Sequence, residues 1–183
     1  MQGHDRDRLK NFFWRCTWYF IFFGALFFTG CGYHFQGGGT NLPPDVRSVA
    51  VPIFANRTKQ TGIESEVTSA LVDKFISAKR LSVSGQNSAD ALLTGTVKSF
   101  TTTSVAVTGG TQITTGYRAT LTVEIIFRRQ RDGKTFFKEE LSEWWNYPVV
   151  SDLAITENNK KDAVRHISLL LAEKIHELIL ENF

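Results

Sequence analysis

The most reactive residue in this chain is a cysteine placed where a cut would expose it. Of the 183 residues two are cysteines, Cys16 and Cys31. Cys16 lies inside an uncharged apolar run, CTWYFIFFGALFF, at positions 16 to 28. If that run is removed, Cys31 is the sole thiol of the mature chain and its first residue. It then has no partner for an internal disulfide and no companions for a cysteine metal site. A lone terminal thiol on an exported chain points to covalent modification. Other chemistry has little to work with. There is no G-x-S-x-G, P-loop, H-E-x-x-H or C-x-x-C pattern. His34 falls in a tether. His166 and His176 lie on one expected helix, too far apart for a shared metal, and are expected to be partly exposed. The carboxylates are scattered and offer no acid–base pair. No catalytic residue, metal or cofactor is expected.

The segments around Cys31 say how it comes to be exposed. Arg6, Arg8, Lys10 and Arg15 precede the apolar run, opposed by Asp5 and Asp7. A basic start, a short apolar stretch and small residues before a cut are the parts of a secretory signal. The run is shorter than the ~20 residues of a membrane-spanning helix. Phe28-Thr29-Gly30-Cys31 resembles a bacterial lipobox, with Phe28 in place of the usual aliphatic residue. That resemblance implies cleavage after Gly30, a thioether diacylglycerol on Cys31 and an acyl chain on its new amino group. Two or more chains give stable anchoring where one holds only marginally. Gly32 follows, not the aspartate that resembles an inner-membrane retention signal in enterobacteria-like sorting, which favours the outer membrane. The expected division is a signal peptide at 1–30, a lipidated tether at 31–45 and a single domain at 46–183. Triple glycine at 37 to 39 and Pro43-Pro44 suit the tether. Of the formal charge of +3, the residues after Gly30 keep only +1. Such a domain has no global charge reason to bind nucleic acid, and none is expected as a partner.

The domain reads as alternating periodicities. Residues 46 to 54, VRSVAVPIF, form a β-branched strand in which Pro52 marks an edge or an end. Residues 62 to 80 repeat apolar positions at helical spacing, with Thr61 and Glu64 as a capping box. Residues 91–107 and 111–128 read as two very long strands turning at Gly109-Gly110. They exceed the usual ~5–6 residues so far that their joined end should project as a finger. In the second strand Tyr117, Ala119, Leu121, Val123, Ile125 and Phe127 share one face, and Arg118, Thr120, Thr122, Glu124 and Arg128 share the other. A turn at Asp132-Gly133 leads to a strand at 134 to 147. A three-residue loop, Arg131 to Gly133, pairs 130 with 134 and sets Phe127 opposite Phe137, Val123 opposite Leu141 and Ala119 opposite Trp145. A one-residue slip would exchange every face. Glu139 and Glu143 then fall on the apolar side, near an edge. Residues 160 to 182 form a last helix, capped by Asn158 or Asn159, with Val164, Ile167, Leu171, Ile175 and Leu178 as its stripe, widened by Leu170 and Ile179. The expected fold is an α/β (α+β) two-layer sandwich. A mixed sheet of about four strands carries two helices on one face, in the order β-α-β-β-β-α.

The mature start, Cys31-Gly32-Tyr33-His34-Phe35-Gln36-Gly37, resembles the opening of the lipopolysaccharide-assembly lipoproteins, the LptE family. V-A-V-P-I-F at 49 to 54, L-T-G-T-V at 93 to 97 and A-T-L-T-V at 119 to 123, with its Arg-Asp-Gly turn, also resemble it. The resemblance implies an outer-membrane lipoprotein held inside a large β-barrel partner, which together insert lipopolysaccharide into the outer leaflet. Lipopolysaccharide carries phosphates, for which Arg and Lys are the natural ligands. The contact candidates are Lys98 and Arg118 on the long hairpin and Arg128, Arg129, Arg131 and Lys134 near the second turn. A pilotin-like or structural envelope adaptor would share the anchor and sandwich but bind another partner. A membrane-anchored hydrolase would need catalytic residues gathered from distant positions.

Overall fold

Long strands and two helices dominate the computed structural model, which describes residues 43–109 and 112–181, with backbone alone over 106–109 and 112–115. The elements are β1 (Ser48–Ala50), β2 (Ala55–Asn56), α1 (Ile63–Ala78), β3 (Ser82–Val83), β4 (Ala91–Gly109), β5 (Gln112–Arg129), β6 (Thr135–Pro148) and α2 (Leu153–Glu181). The sheet order is β3-β1-β4-β5-β6, and β2 pairs with β4 farther along than β1 does. Pairings of β1 and β2 are parallel, and those of β5 antiparallel. The expected two-layer α+β class is present, with six strands in place of four. The difference lies in short pieces. Pro52 has no N–H for a ladder, so the expected strand at 46 to 54 ends after Ala50 and resumes as the two-residue β2. β3 is as short, and two residues show no periodicity.

Both helices cover one face of the sheet and share one core with it. Ile63, Val67, Leu71 and Phe75 of α1 meet Val164, Ile167, Leu171, Ile175 and Ile179 of α2 over Leu93, Val97, Leu121, Val123, Ile125 and Phe127. The caps differ from expectation. Gly62, at φ 90°, caps α1 instead of Thr61 and has no side chain to bond the first turn. Glu64 reaches back, its Oε2 accepting from the Gly62 N–H at 3.1 Å and from Asn56 Nδ2 at 2.7 Å. α2 starts at Leu153, well before Lys160. Asp152 Oδ1 accepts from the N–H groups of Ala154 and Ile155 at 2.8 and 3.3 Å, the usual N-cap arrangement. Asn159 instead ties Nδ2 to the Pro148 carbonyl at 3.0 Å. Leu170 faces solvent, and Ala163, Ser168 and Ala172 take buried places in the seam. His176 is 7% exposed rather than partly open. It meets the Phe75 ring edge-on at 5.5 Å between centroids.

The β5–β6 register is the expected one over most of its length: Phe127 faces Phe137, Val123 faces Leu141 and Ala119 faces Trp145. The loop that produces it differs. The Arg129 N–H bonds to the Lys134 carbonyl at 2.8 Å and Arg128 faces Thr135. The connection is therefore one residue longer than expected at this end. A register shift between Phe127 and Arg128 restores the pairing, with Phe136 as the extra residue. Gly133, at φ 69°, does take the left-handed position. Glu139 is exposed, whereas Glu143 is half-buried and its Oε1 accepts from Lys174 Nζ on α2 at 2.6 Å. It is thus held by a partner on the helix layer.

Candidate functional site

Period-two alternation sends one set of β5 side chains into the core and leaves the other on a sheet face with no helix over it. On that open face Arg118 Nε donates to Asn146 Oδ1 at 3.0 Å, and its guanidinium lies 4.0 Å over the Trp144 ring. Thr122 and Ser142 hydroxyls are 3.2 Å apart. Glu124 Oε2 sits 3.1 Å from Lys138 Nζ and 3.7 Å from Lys98 Nζ. The Lys138 ammonium is the main reason the Glu124 carboxyl titrates below its ordinary range. Lys98 occupies a bulge, since Val97 faces Val123 while Ser99 already faces Thr122. The face is polar and charged in both signs, with Trp144 at 49% exposure as its large apolar surface.

The six basic candidates fall into separate places. Lys98 and Arg118 lie on the open face. The other four lie at the opposite end of β5, about 33 Å from Arg118 at 3.3 Å per residue. Within that second group the roles diverge. Arg129 is largely covered, with Nε 3.5 Å from Asp45, Nη1 3.2 Å from Asp132, and its guanidinium 5.3 Å from the Phe136 ring. Arg131 Nη2 lies 3.5 Å from the same Asp45 carboxylate. Lys134 gives its backbone N–H to Asp132 Oδ1 at 3.0 Å, which holds the Asp132 carboxyl below its ordinary pKa. Among the described residues, the side chains of Arg128 and Lys134 form no ion pair. These two are the cations of the turn most available to an outside anion. Sequence reasoning missed Trp144, Asn146 and Ser142, because their importance comes from their register opposite Arg118, Thr120 and Thr122.

His166 and His176 do not converge. His166 stacks on Trp145 at 4.5 Å between centroids, and His176 lies in the core, where burial lowers its pKa. Among the described residues no group of His, Cys, Asp and Glu is placed to hold a metal, and no helix is long and apolar enough to cross a membrane. Cys31 and the long hairpin's turn at Gly110 lie outside the described residues.

No curated protein sequence matches the chain. Several solved lipoprotein structures are similar to it. Rare lipoprotein B from Shewanella oneidensis is 11% identical, with a TM-score of 0.46 over 69% of this chain and 92% of its own. A minor lipoprotein from Acinetobacter baumannii is 15% identical, with a TM-score of 0.45 over 74% and 94%. A lipoprotein from Neisseria meningitidis is 14% identical, with a TM-score of 0.42 over 66% and 97%. The LptE family model, described as lipopolysaccharide-assembly, matches residues 46–179, from just before β1 to near the end of α2. With most of its length matched, this chain belongs to the LptE family of non-catalytic lipoproteins and takes part in lipopolysaccharide assembly.

Proposed function

We propose that this protein is held in the outer membrane by lipid on Cys31 and seats inside the lumen of a large β-barrel partner. Together the two deliver lipopolysaccharide to the cell surface. The observation that carries this reading is the open sheet face, long, polar and charged in both signs. The lumen of a large barrel is polar, so a plug must present such a surface. Arg118, Arg128 and Lys134 are the proposed contacts for lipopolysaccharide phosphates, because burial and internal ion pairs engage them least. Lys98, Arg129 and Arg131 are already matched to carboxylates.

The test is capture of the tagged full chain from outer membranes solubilised in mild detergent, with mass spectrometry of what stays bound. A large β-barrel at near-equal stoichiometry is expected. A pilus or secretion component in its place would overturn the assignment of partner. Reversing the charge of Arg118, Arg128 and Lys134 together is expected to weaken lipopolysaccharide binding by the purified protein. Unchanged binding would remove them as contacts.

A further inference from the structure

The two layers of the sandwich differ in length. β5 has 18 residues and α2 has 29. At 3.3 and 1.5 Å per residue these span about 59 and 43 Å. Where the helix layer stops, the helix-side face of the sheet is left uncovered, and a cleft of about 610 Å³ opens there. Its floor is Phe100, Tyr117, Tyr147 and Val149. The two tyrosine rings lie 6.0 Å apart between centroids. Leu153 stands at its lip, 73% exposed. A second cleft of about 260 Å³ shares Gln60 and Lys160 with the first. It runs to Gly62 and Ile63, the N-terminus of α1.

The rim of this double cleft is basic. Lys59, Lys160, Lys161 and Arg165 line it against two acids, Glu66 and Glu157. Lys160 pairs with Glu157 at 2.9 Å and Arg165 with Asp162 at 3.3 Å. Among the described residues Lys59 and Lys161 form no ion pair. The start of α1 adds no free charge, because the Glu64 carboxylate already takes the N–H groups there, its own and that of Gly62, so the two lysines carry the positive charge of the rim. An apolar floor of this volume with a few convergent polar groups is the ordinary form of a small-ligand site.

We propose that this groove binds a single acyl chain bearing an anionic group. The chain lies on Phe100, Tyr117 and Tyr147, and the anion faces Lys59 and Lys161. The site is separate from the basic residues of the open face and the β5–β6 turn, and it stands whether or not the barrel reading does. A phospholipid and lipopolysaccharide share the chemistry it recognises.

The test uses the full-length lipoprotein in phosphatidylcholine nanodiscs, irradiated with a palmitate carrying a terminal diazirine, with adducts mapped on peptides by mass spectrometry. Adducts are expected on Phe100 to Thr102 and on Trp145 to Leu153. Charge reversal at Lys59→Glu with Lys161→Glu should lower labelling about fivefold, as should the neutral diazirine hexadecanol in place of palmitate. Thr102→Trp, which fills the cleft, should do the same. Melting curves identify any variant that has unfolded, and the surface lysine pair keeps the test decisive if Thr102→Trp fails to fold. Competition by phosphatidylglycerol or by lipopolysaccharide names the source of the natural ligand. Labelling spread evenly over the surface would overturn the proposal. So would equal labelling by the neutral alcohol, or labelling unchanged in folded variants.

Discussion

Gly95 stands where any side chain would enter the Phe54 ring. A Cβ built there falls 2.0 to 2.4 Å from three ring carbons. Phe54 is 1% exposed, and its backbone N–H is tied to Thr68 Oγ1 at 3.1 Å, so the ring has little freedom to retreat. Gly95→Ala is expected to cost about 1–3 kcal/mol or more, as overpacking of a dense core does. Thermal melting should show a drop of about 2–4 °C per kcal/mol. The same scale holds two acid-sensitive groups. Burial lowers the pKa of His176. Asp90 Oδ2 accepts from the Ser48 hydroxyl at 2.7 Å and from the N–H groups of Arg47 and Ser48 at 3.0 Å. These bonds, the Ser48 hydroxyl first, hold the Asp90 carboxyl below its ordinary range. Both folded pKa values are depressed, so in each case the unfolded chain binds the proton more readily. The stability from each is present above its unfolded pKa and is lost as pH falls. Denaturation against pH should show one decline beginning near pH ~6.5, removed by His176→Leu. A second, beginning near pH ~4, should be reduced by Asp90→Asn, with Glu64, Glu124 and Asp132, whose carboxyls are also held below their ordinary range, carrying the remainder. A decline near pH ~6.5 that survived His176→Leu would assign it to another group.

At the scale of elements, the long hairpin is separable from the core in a way the helices are not. The pairs from Val105 with Gly116 to Gly109 with Gln112 lie toward the tip from Tyr117, and the core cluster draws on neither strand past Tyr117 in that direction. Replacing residues 105–116 by Asn-Gly keeps Ser104 opposite Tyr117 across a two-residue turn suited to a hairpin. The shortened protein is expected to fold, with a melting temperature within a few degrees of the parent, since surface changes outside the core cost little. It is expected to lose most of its capture of the barrel. Undiminished capture would place the contact elsewhere. β6 is the opposite case. It is an edge strand, and Lys138, Glu139, Glu140 and Glu143 along it discourage further pairing.

At the scale of the whole molecule, the described chain has two distinct ends. At one end is Asp45, whose carboxylate lies 3.5 Å from both Arg129 and Arg131. The far end of β5, at Gln112, is about 56 Å away at 3.3 Å per residue. Asp45 and the paired tips of β4 and β5 thus lie toward opposite ends of β5. Cys31→Ala is expected to release the exported protein from the membrane fraction into the soluble one, because no helix among the described residues can replace the lipid. Membrane association that persists in this variant, with the barrel partner absent, would show that Cys31 is not the anchor.

The local pattern of the sequence determined which residues enter the core. Helical spacing in α1 and α2 and alternation in β5 follow from backbone geometry alone, so both stripes and the buried face of β5 are legible in the order of residues. The left-handed glycine of the second turn is legible too, because few residues tolerate that conformation. The lipobox resemblance at Cys31 lies in the sequence alone, outside the described residues. The rest depended on distant pairings. β2 and β3 exist because β4 and β1 offer them edges, and their own two residues carry no pattern. Arg129 resembles its neighbours Arg128 and Arg131 in sequence. Only the folded turn sets it against Asp45, Asp132 and Phe136. The cleft at the base of the hairpin arises because strand and helix rise by different lengths per residue. Lys59, Tyr147 and Lys160 therefore line one cleft only once the two layers are laid together.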